Sequence, residues 1–219
     1  MNSNRMIQMK TVLYFFLLIG MPFSLCANDW TLDVRGAYYS PMSKDVREIY
    51  SRAWIDYQVL TSKRVAEYWE LWGQVSWTIK KGHTSKGYFG FKDSTRAWIL
   101  PLSVGLRFIY PVACRTRAYL GAGVSYSFLK IDNRCEDFYD YSFFSSSPFK
   151  KHIRKGAPGA LFKAGVLIDT GDNTFIDLFV DYFLQSFHLG RHDLFEEKVI
   201  GDHFRATGFK FGAGFGVNF

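Results

Sequence analysis

Tyr68-Trp-Glu-Leu-Trp-Gly-Gln-Val-Ser-Trp-Thr-Ile79 decides how the chain is to be read. Trp69, Leu71, Val75, Trp77 and Ile79 fall on one side of a two-residue repeat, and Glu70, Gln74, Ser76 and Thr78 on the other. Successive side chains of an extended strand point to opposite faces, so this segment is a strand with one apolar and one polar face. A helix would scatter the same residues around its circumference.

Seven further segments alternate in the same way, at residues 30–39, 53–60, 97–110, 118–129, 160–168, 175–187 and 208–219. Trp98, Leu100, Leu102, Val104, Leu106, Phe108 and Tyr110 oppose Ser103, Gly105 and Arg107 in one of them. Leu120, Ala122, Val124, Tyr126 and Phe128 oppose two glycines and two serines in the next. Pro101 falls on the polar face, removes one ladder hydrogen bond and is expected to sit in a local bulge. Each segment keeps one face free of charge. An Arg or Lys facing lipid at mid-bilayer costs about 2–4 kcal/mol, so that regularity is the mark of strands whose apolar face meets hydrocarbon. Trp30, Trp69, Tyr110 and Phe219 would form one aromatic girdle, and Trp77 and Trp98 the other.

The connections alternate in length. Links at 41–52, 80–96, 131–159 and 188–207 are long, and those at 61–67, 111–117 and 169–174 are shorter. That is the rule for transmembrane barrels, with long loops outside and tight turns within the periplasm. The fold expected is all-β, an eight-stranded antiparallel up-and-down transmembrane β-barrel (a meander) over residues 28–219, with four long outer loops.

Composition agrees. Aromatic residues are plentiful, with 22 Phe, 13 Tyr and 6 Trp, yet beyond residue 27 no apolar run reaches the roughly 20 residues of a membrane helix. Residues 1–27 read as a cleavable signal peptide: Arg5 and Lys10 precede an apolar stretch from Thr11 to Met21, Pro22 ends it, and Leu25-Cys26-Ala27 offers a processing site before Asn28. A lipoprotein signal acylated at Cys26 is the alternative, with Leu25 larger than the residue usually found there. Of the formal charge of +7, two units belong to this export segment, and the remaining bases form no stripe suited to nucleic acid.

The polar faces carry Asp33, Arg35, Asp56, Glu70, Arg107, Lys163, Asp177, Asp181 and Lys210. An eight-stranded barrel is just wide enough for side chains to fill it, so these charges should form a paired network that plugs the lumen. No cofactor is expected.

The last residues, Phe209-Lys-Phe-Gly-Ala-Gly-Phe-Gly-Val-Asn-Phe219, resemble the C-terminal insertion signal of outer-membrane barrels, carried here by Phe215, Val217 and Phe219. Together with Tyr119-Leu-Gly-Ala-Gly-Val-Ser-Tyr126 and Asp177-Leu-Phe-Val-Asp-Tyr182, they make the chain similar to small barrels of the OmpA/OmpW-like class. The resemblance implies a bacterial outer-membrane location and, as partners, outer-membrane lipids and the barrel insertion machinery.

Chemistry-bearing residues are sparse. Cys114 falls in a periplasmic turn and Cys135 in an outer loop, a strand's length apart, so they cannot bridge within one chain. Each is either a free thiol or a cross-link to a neighbouring envelope protein. His83, His152, His188, His192 and His203 make no metal-ligand spacing, and His188, His192 and Asp193 would hold a metal only loosely. Ser186 and His188 share the outward face of one strand, and Glu196 would have to orient the histidine for lipid-modifying catalysis. The lipid A deacylase barrels have the order His-x-Ser; here it is reversed, while His83-Thr-Ser85 lies in a loop. The function expected is therefore non-enzymatic surface interaction through outer loops rich in Tyr, Phe and Lys around 137–155, with a host surface or a neighbouring envelope protein as partner. A narrow OmpW-like channel and a lipid-modifying enzyme are the alternatives.

Overall fold

A computed structural model describes residues 30–84, 93–135, 150–189 and 203–219. In chain order these form β1 (Trp30–Pro41), α1 (Lys44–Tyr50), β2 (Trp54–Ala66), β3 (Trp69–Thr84), β4 (Asp93–Ala113), β5 (Thr116–Cys135), β6 (Lys150–Asp169), β7 (Thr174–His188), β8 (His203–Arg205) and β9 (Gly208–Asn218). Each strand from β1 to β7 pairs antiparallel with the next, and β9 pairs with both β7 and β1. Eight strands thus close into a ring. The three-residue β8 stands outside it, pairing Ser186–His188 of β7 and continuing the line of β9.

The ring is sheared. Paired residues followed once around it run from Thr31 through Ser62, Trp72, Gly105, Gly123, Leu161, Phe183 and Gly208 to Pro41. The path returns to β1 ten residues higher, from Thr31 to Pro41. With ordinary strand spacing and rise, that stagger tilts the strands roughly 40–45° from the barrel axis.

Alternation sorts the two faces as the sequence demanded. Val34, Ile55, Trp69, Val104, Leu120, Leu178 and Phe215 are exposed on the outside, while Asp33, Gln58, Glu70, Ser127 and Asp181 are buried. The outward apolar side chains form a band around the barrel while the charges are turned inward, the arrangement that suits a wall covered by hydrocarbon. The chain is a transmembrane β-barrel.

Three expectations need correction. First, the strands overrun the loops assigned from sequence: β4, β5 and β6 span 21, 20 and 20 residues. At this tilt about ten residues cross the apolar band, so these strands stand roughly 20 Å beyond it on the side of the long connections. Residues 80–84, 93–96, 131–135 and 150–159 are strand, not loop. Charged stretches such as Lys150–Lys155 lack an apolar face because, above the membrane, a strand does not need one. Second, Pro101 makes no bulge. The β3–β4 register is the same on either side, Val75↔Leu102 and Thr78↔Ile99, and only the intervening pairs drop out where proline offers no N–H. Third, the link after β1 contains a helix. α1 turns Val46, Ile49 and Tyr50 inward as a short apolar face, places Asp45 in its first turn, and ends at Ser51 with φ 67°. It lies so close to β3 that a Cβ at Gly82 would stand 2.6 Å from the Ile49 carbonyl oxygen.

β6 and β7 part company at Gly159↔Gln185. The Gln185 side chain bridges the divergence: its Nε2 donates to the carbonyls of Ala157 (3.1 Å) and Pro158 (3.2 Å), and its Oε1 accepts from Ser127 Oγ (3.0 Å). Above that point β6 has a strand partner only in β5 among the described residues.

Trp72 of β3 fills the lumen over Gly105 and Gly123, where an added Cβ would stand 2.6 Å from the indole in either case. Trp72→Ala should therefore cost about 3–5 kcal/mol of stability. Urea unfolding in lipid vesicles measures it, and a loss under about 1 kcal/mol would mean that the indole is not packed there.

Candidate functional site

All nine charges singled out in the sequence point into the lumen and are buried. β1 and β7 contribute one group toward the periplasmic end: Arg35 pairs with both Asp33 and Asp177, and Tyr119 of β5 donates to Asp177 at 3.1 Å. Beside it Arg107 grips Glu70, with Nε and Nη2 at 2.9 and 2.7 Å from one carboxylate oxygen, and the Ser62 hydroxyl joins both. Higher up, Lys163 pairs with Asp181 at 2.9 Å and also donates to Gln74. Lys210 pairs with Asp56 at 3.0 Å, and Asp56 also accepts from Gln58 and Thr78.

Every one of the four bases also lies over an aromatic ring. Arg35 stands 4.9 Å from the Phe179 centroid, Arg107 5.2 Å from Tyr119, Lys163 5.2 Å from Trp72, and Lys210 4.9 Å from Phe183. Each buried cation thus meets a carboxylate and a ring face, which together offset its desolvation.

Above the charges an apolar cluster closes the bore. Tyr39, Trp54, Ile99, Leu129, Leu161, Phe183, Phe187 and Phe204 pack there beneath Val46, Ile49 and Tyr50 of α1. Tyr39 donates to the Ala206 carbonyl, and Tyr50 and Thr95 share a hydroxyl contact of 2.9 Å. A second cluster, including Ile109, Tyr119, Leu167, Phe175 and Phe179, occupies the periplasmic end. Sequence reading missed both clusters because it followed only the polar members of the inner face. The signal was present: Tyr39, Trp54, Trp72, Ile99, Leu129 and Phe183 all fall on the strand phase that carries the lumen charges.

The outward surface changes character above Trp98. Asp132 of β5 is bonded to His152 of β6 (2.6 Å) and Lys130 (3.0 Å), and Lys130 lies 6.0 Å from the Trp98 ring centroid. Partial burial works against the Asp132 carboxylate, but the hydrogen bonds from His152 and Lys130 outweigh it and hold its pKa below the usual range. The group is therefore ionised at neutral pH. A groove of about 420 Å³ runs beside Lys130, His152, Ile153, Arg154 and Lys155.

The remaining sequence candidates do not converge. Phe215 and Phe219 lie outward on the last strand and just beyond it, with Val217 half-buried between them. Cys114 is exposed in the turn between β4 and β5, and Cys135 ends β5 at the opposite side of the barrel. His152 belongs to a strand, not a loop, and so do His83, His188 and His203. His188 faces His203 across the β7–β8 pair with ring centroids 5.0 Å apart. Ser186 and His188 are exposed on one face of β7. Glu196, His192, Asp193, Ser85, the signal segment 1–27 and the loop residues 137–149 lie outside the described residues.

No protein-family model matches the sequence, and no curated protein does. Solved structures match the fold. Outer membrane protein OprG from Pseudomonas aeruginosa aligns over 88% of this chain and 96% of its own, at 14% identity and a TM-score of 0.58. Neisserial surface protein A aligns over 87% and 97%, at 13% identity and a TM-score of 0.51. The fold is that of the small outer-membrane barrels. At such identities the likeness speaks for architecture, and the contents of the lumen have to be read from this chain alone.

Breaking one buried pair should reveal how the lumen is held. Asp181→Leu strands the Lys163 ammonium and should lower stability by about 3–5 kcal/mol, whereas Lys163→Met added to it should restore a large part. A loss in the double variant equal to the sum of the Asp181→Leu and Lys163→Met losses, by urea titration, would show that the pair contributes only as individual side chains.

Proposed function

We propose that the protein is a bacterial outer-membrane barrel that works by surface interaction through its raised outer rim, with a sealed, non-conducting and non-catalytic interior. The observation that carries this reading is the filled lumen. Two tiers of ion pairs and an apolar cluster beneath α1 block a bore that eight strands already make narrow. A path for solute would have to break several buried pairs at once, at several kcal/mol each.

The outer-membrane placement draws support from the exposed apolar band, the outward Phe215 and Phe219 near the C-terminus, and the shared architecture. The insertion machinery would read that terminal strand, and lipid would cover the band. Host surfaces or neighbouring envelope proteins are the partners that suit a rim of long strands whose basic stretch Lys150–Lys155 follows the aromatic-rich residues 137–149.

Planar bilayers containing the purified protein should show no resolved single-channel steps, and steady conductance would favour the channel reading. Deletion of residues 137–149 should abolish binding to the partner surface while the heat-dependent mobility shift of the folded barrel persists. Undiminished binding would remove that loop from the interaction.

A further inference from the structure

The lipid-facing wall of β3 to β6 carries a patch of cations just above its apolar band. Lys81, Arg96, Asp132 and His152 are successive cross-strand partners, and so are Ile79, Trp98, Lys130 and Arg154 one row below. Both rows lie on the outward phase of their strands, the phase that lower down bears Leu71, Leu102, Tyr126 and Phe162. The rows climb with the barrel stagger. Counting down the strands at the tilt given above, Trp98 and Lys130 come about 30 Å above Tyr110 and Ala118, just past the roughly 25 Å of the apolar band and so at the level of the headgroups. Lys81 falls at nearly that height, with Arg154 a few ångströms higher.

Four permanent cations, Lys81, Arg96, Lys130 and Arg154, therefore surround one acid, Asp132, at the level of the outer-leaflet headgroups. Asp132 bonds Lys130 and His152 and so fixes the spacing of the cluster while leaving it positive. The groove beside Lys130, Arg154 and Lys155 lies on the stretch of β6 above the point where its pairing with β7 ends. A simple ring of headgroup contacts would need no such groove.

We propose that this patch is a binding site for the phosphorylated sugar headgroup of an outer-leaflet glycolipid, a bis-phosphorylated lipid A. Lys130 and Arg154 would take a phosphate in the groove, Trp98 would pack against the first acyl carbons, and Arg96 and Lys81 would face the second phosphate. The inference rests on the outer-membrane reading above.

The test uses the full mature barrel in nanodiscs of zwitterionic lipid, titrated with bis-phosphorylated lipid A and followed by native mass spectrometry. Each Lys or Arg near a charged surface is worth about 1 kcal/mol, so Lys130→Gln with Arg154→Gln should weaken binding roughly 30-fold. Lys63→Gln, at the other rim beside Trp30, should leave it unchanged. Arg154 is exposed and Lys130 half-buried, and the heat-dependent gel shift verifies that the barrel has folded. Equal binding of dephosphorylated lipid A, or of the double variant, overturns the site. Displacement by inorganic pyrophosphate at equal concentration overturns the lipid assignment, because a free anion would then suffice. Failure of the wild-type barrel to enter the nanodisc would instead sink the membrane reading itself.

Discussion

Ionised groups cannot rest in hydrocarbon, and the rest of this structure follows from that exclusion. Across the apolar band the outward face of every strand carries no charge, whereas the inward face carries five acids and four bases within a single narrow bore. Driven inward, the charges have no room for bulk water around them. They meet one another, and the five acids are paired with four bases because Arg35 serves both Asp33 and Asp177. Aromatic rings complete the shell of each cation. A filled lumen is thus a consequence of the rule that makes the outside greasy.

The same rule explains how much could be read in advance. Where lipid presses on a strand, a two-residue repeat is enforced at every step, so the eight strands, their faces and the identity of the lumen charges were all legible. Above the band the pressure ends. Lys150–Lys155 and Lys80–Thr84 continue as strands in water with no apolar face to betray them, and a repeat-based reading stopped too early at both. The seven-residue α1 was too short to develop a periodic signal of its own. Pro101 misled in a different way: proline deletes a donor without adding a residue, so the ladder gaps while the register is kept.

The apolar clusters of the lumen were hidden by the reading, not by the sequence. Alternation classifies a face by what sets it apart, and charge set the inner face apart, so its Trp54, Trp72 and Phe183 went unremarked. A barrel of this width cannot hold nine charges and water in every layer, and counting inward side chains by volume would have exposed the plug.

What the raised sheet adds is rigidity at a place where loops usually do the work. Loops around a membrane barrel adapt to a partner but must lose conformational entropy when they engage it. Strands that extend past the headgroups hold Lys130, Asp132 and His152 at fixed cross-strand spacing before any partner arrives. That projection has a hazard, since among the described residues the upper stretch of β6 pairs only with β5, and a free strand edge is one on which other chains could add strands. Arg154 and Lys155 place charge along it, Pro158 ends its donor pattern, and Gln185 ties off the point where β7 departs. Charge that keeps a free edge from pairing with another strand is also charge suited to a phosphorylated headgroup. One set of residues therefore meets both demands, and this rim can be stiff and basic without becoming a site of aggregation.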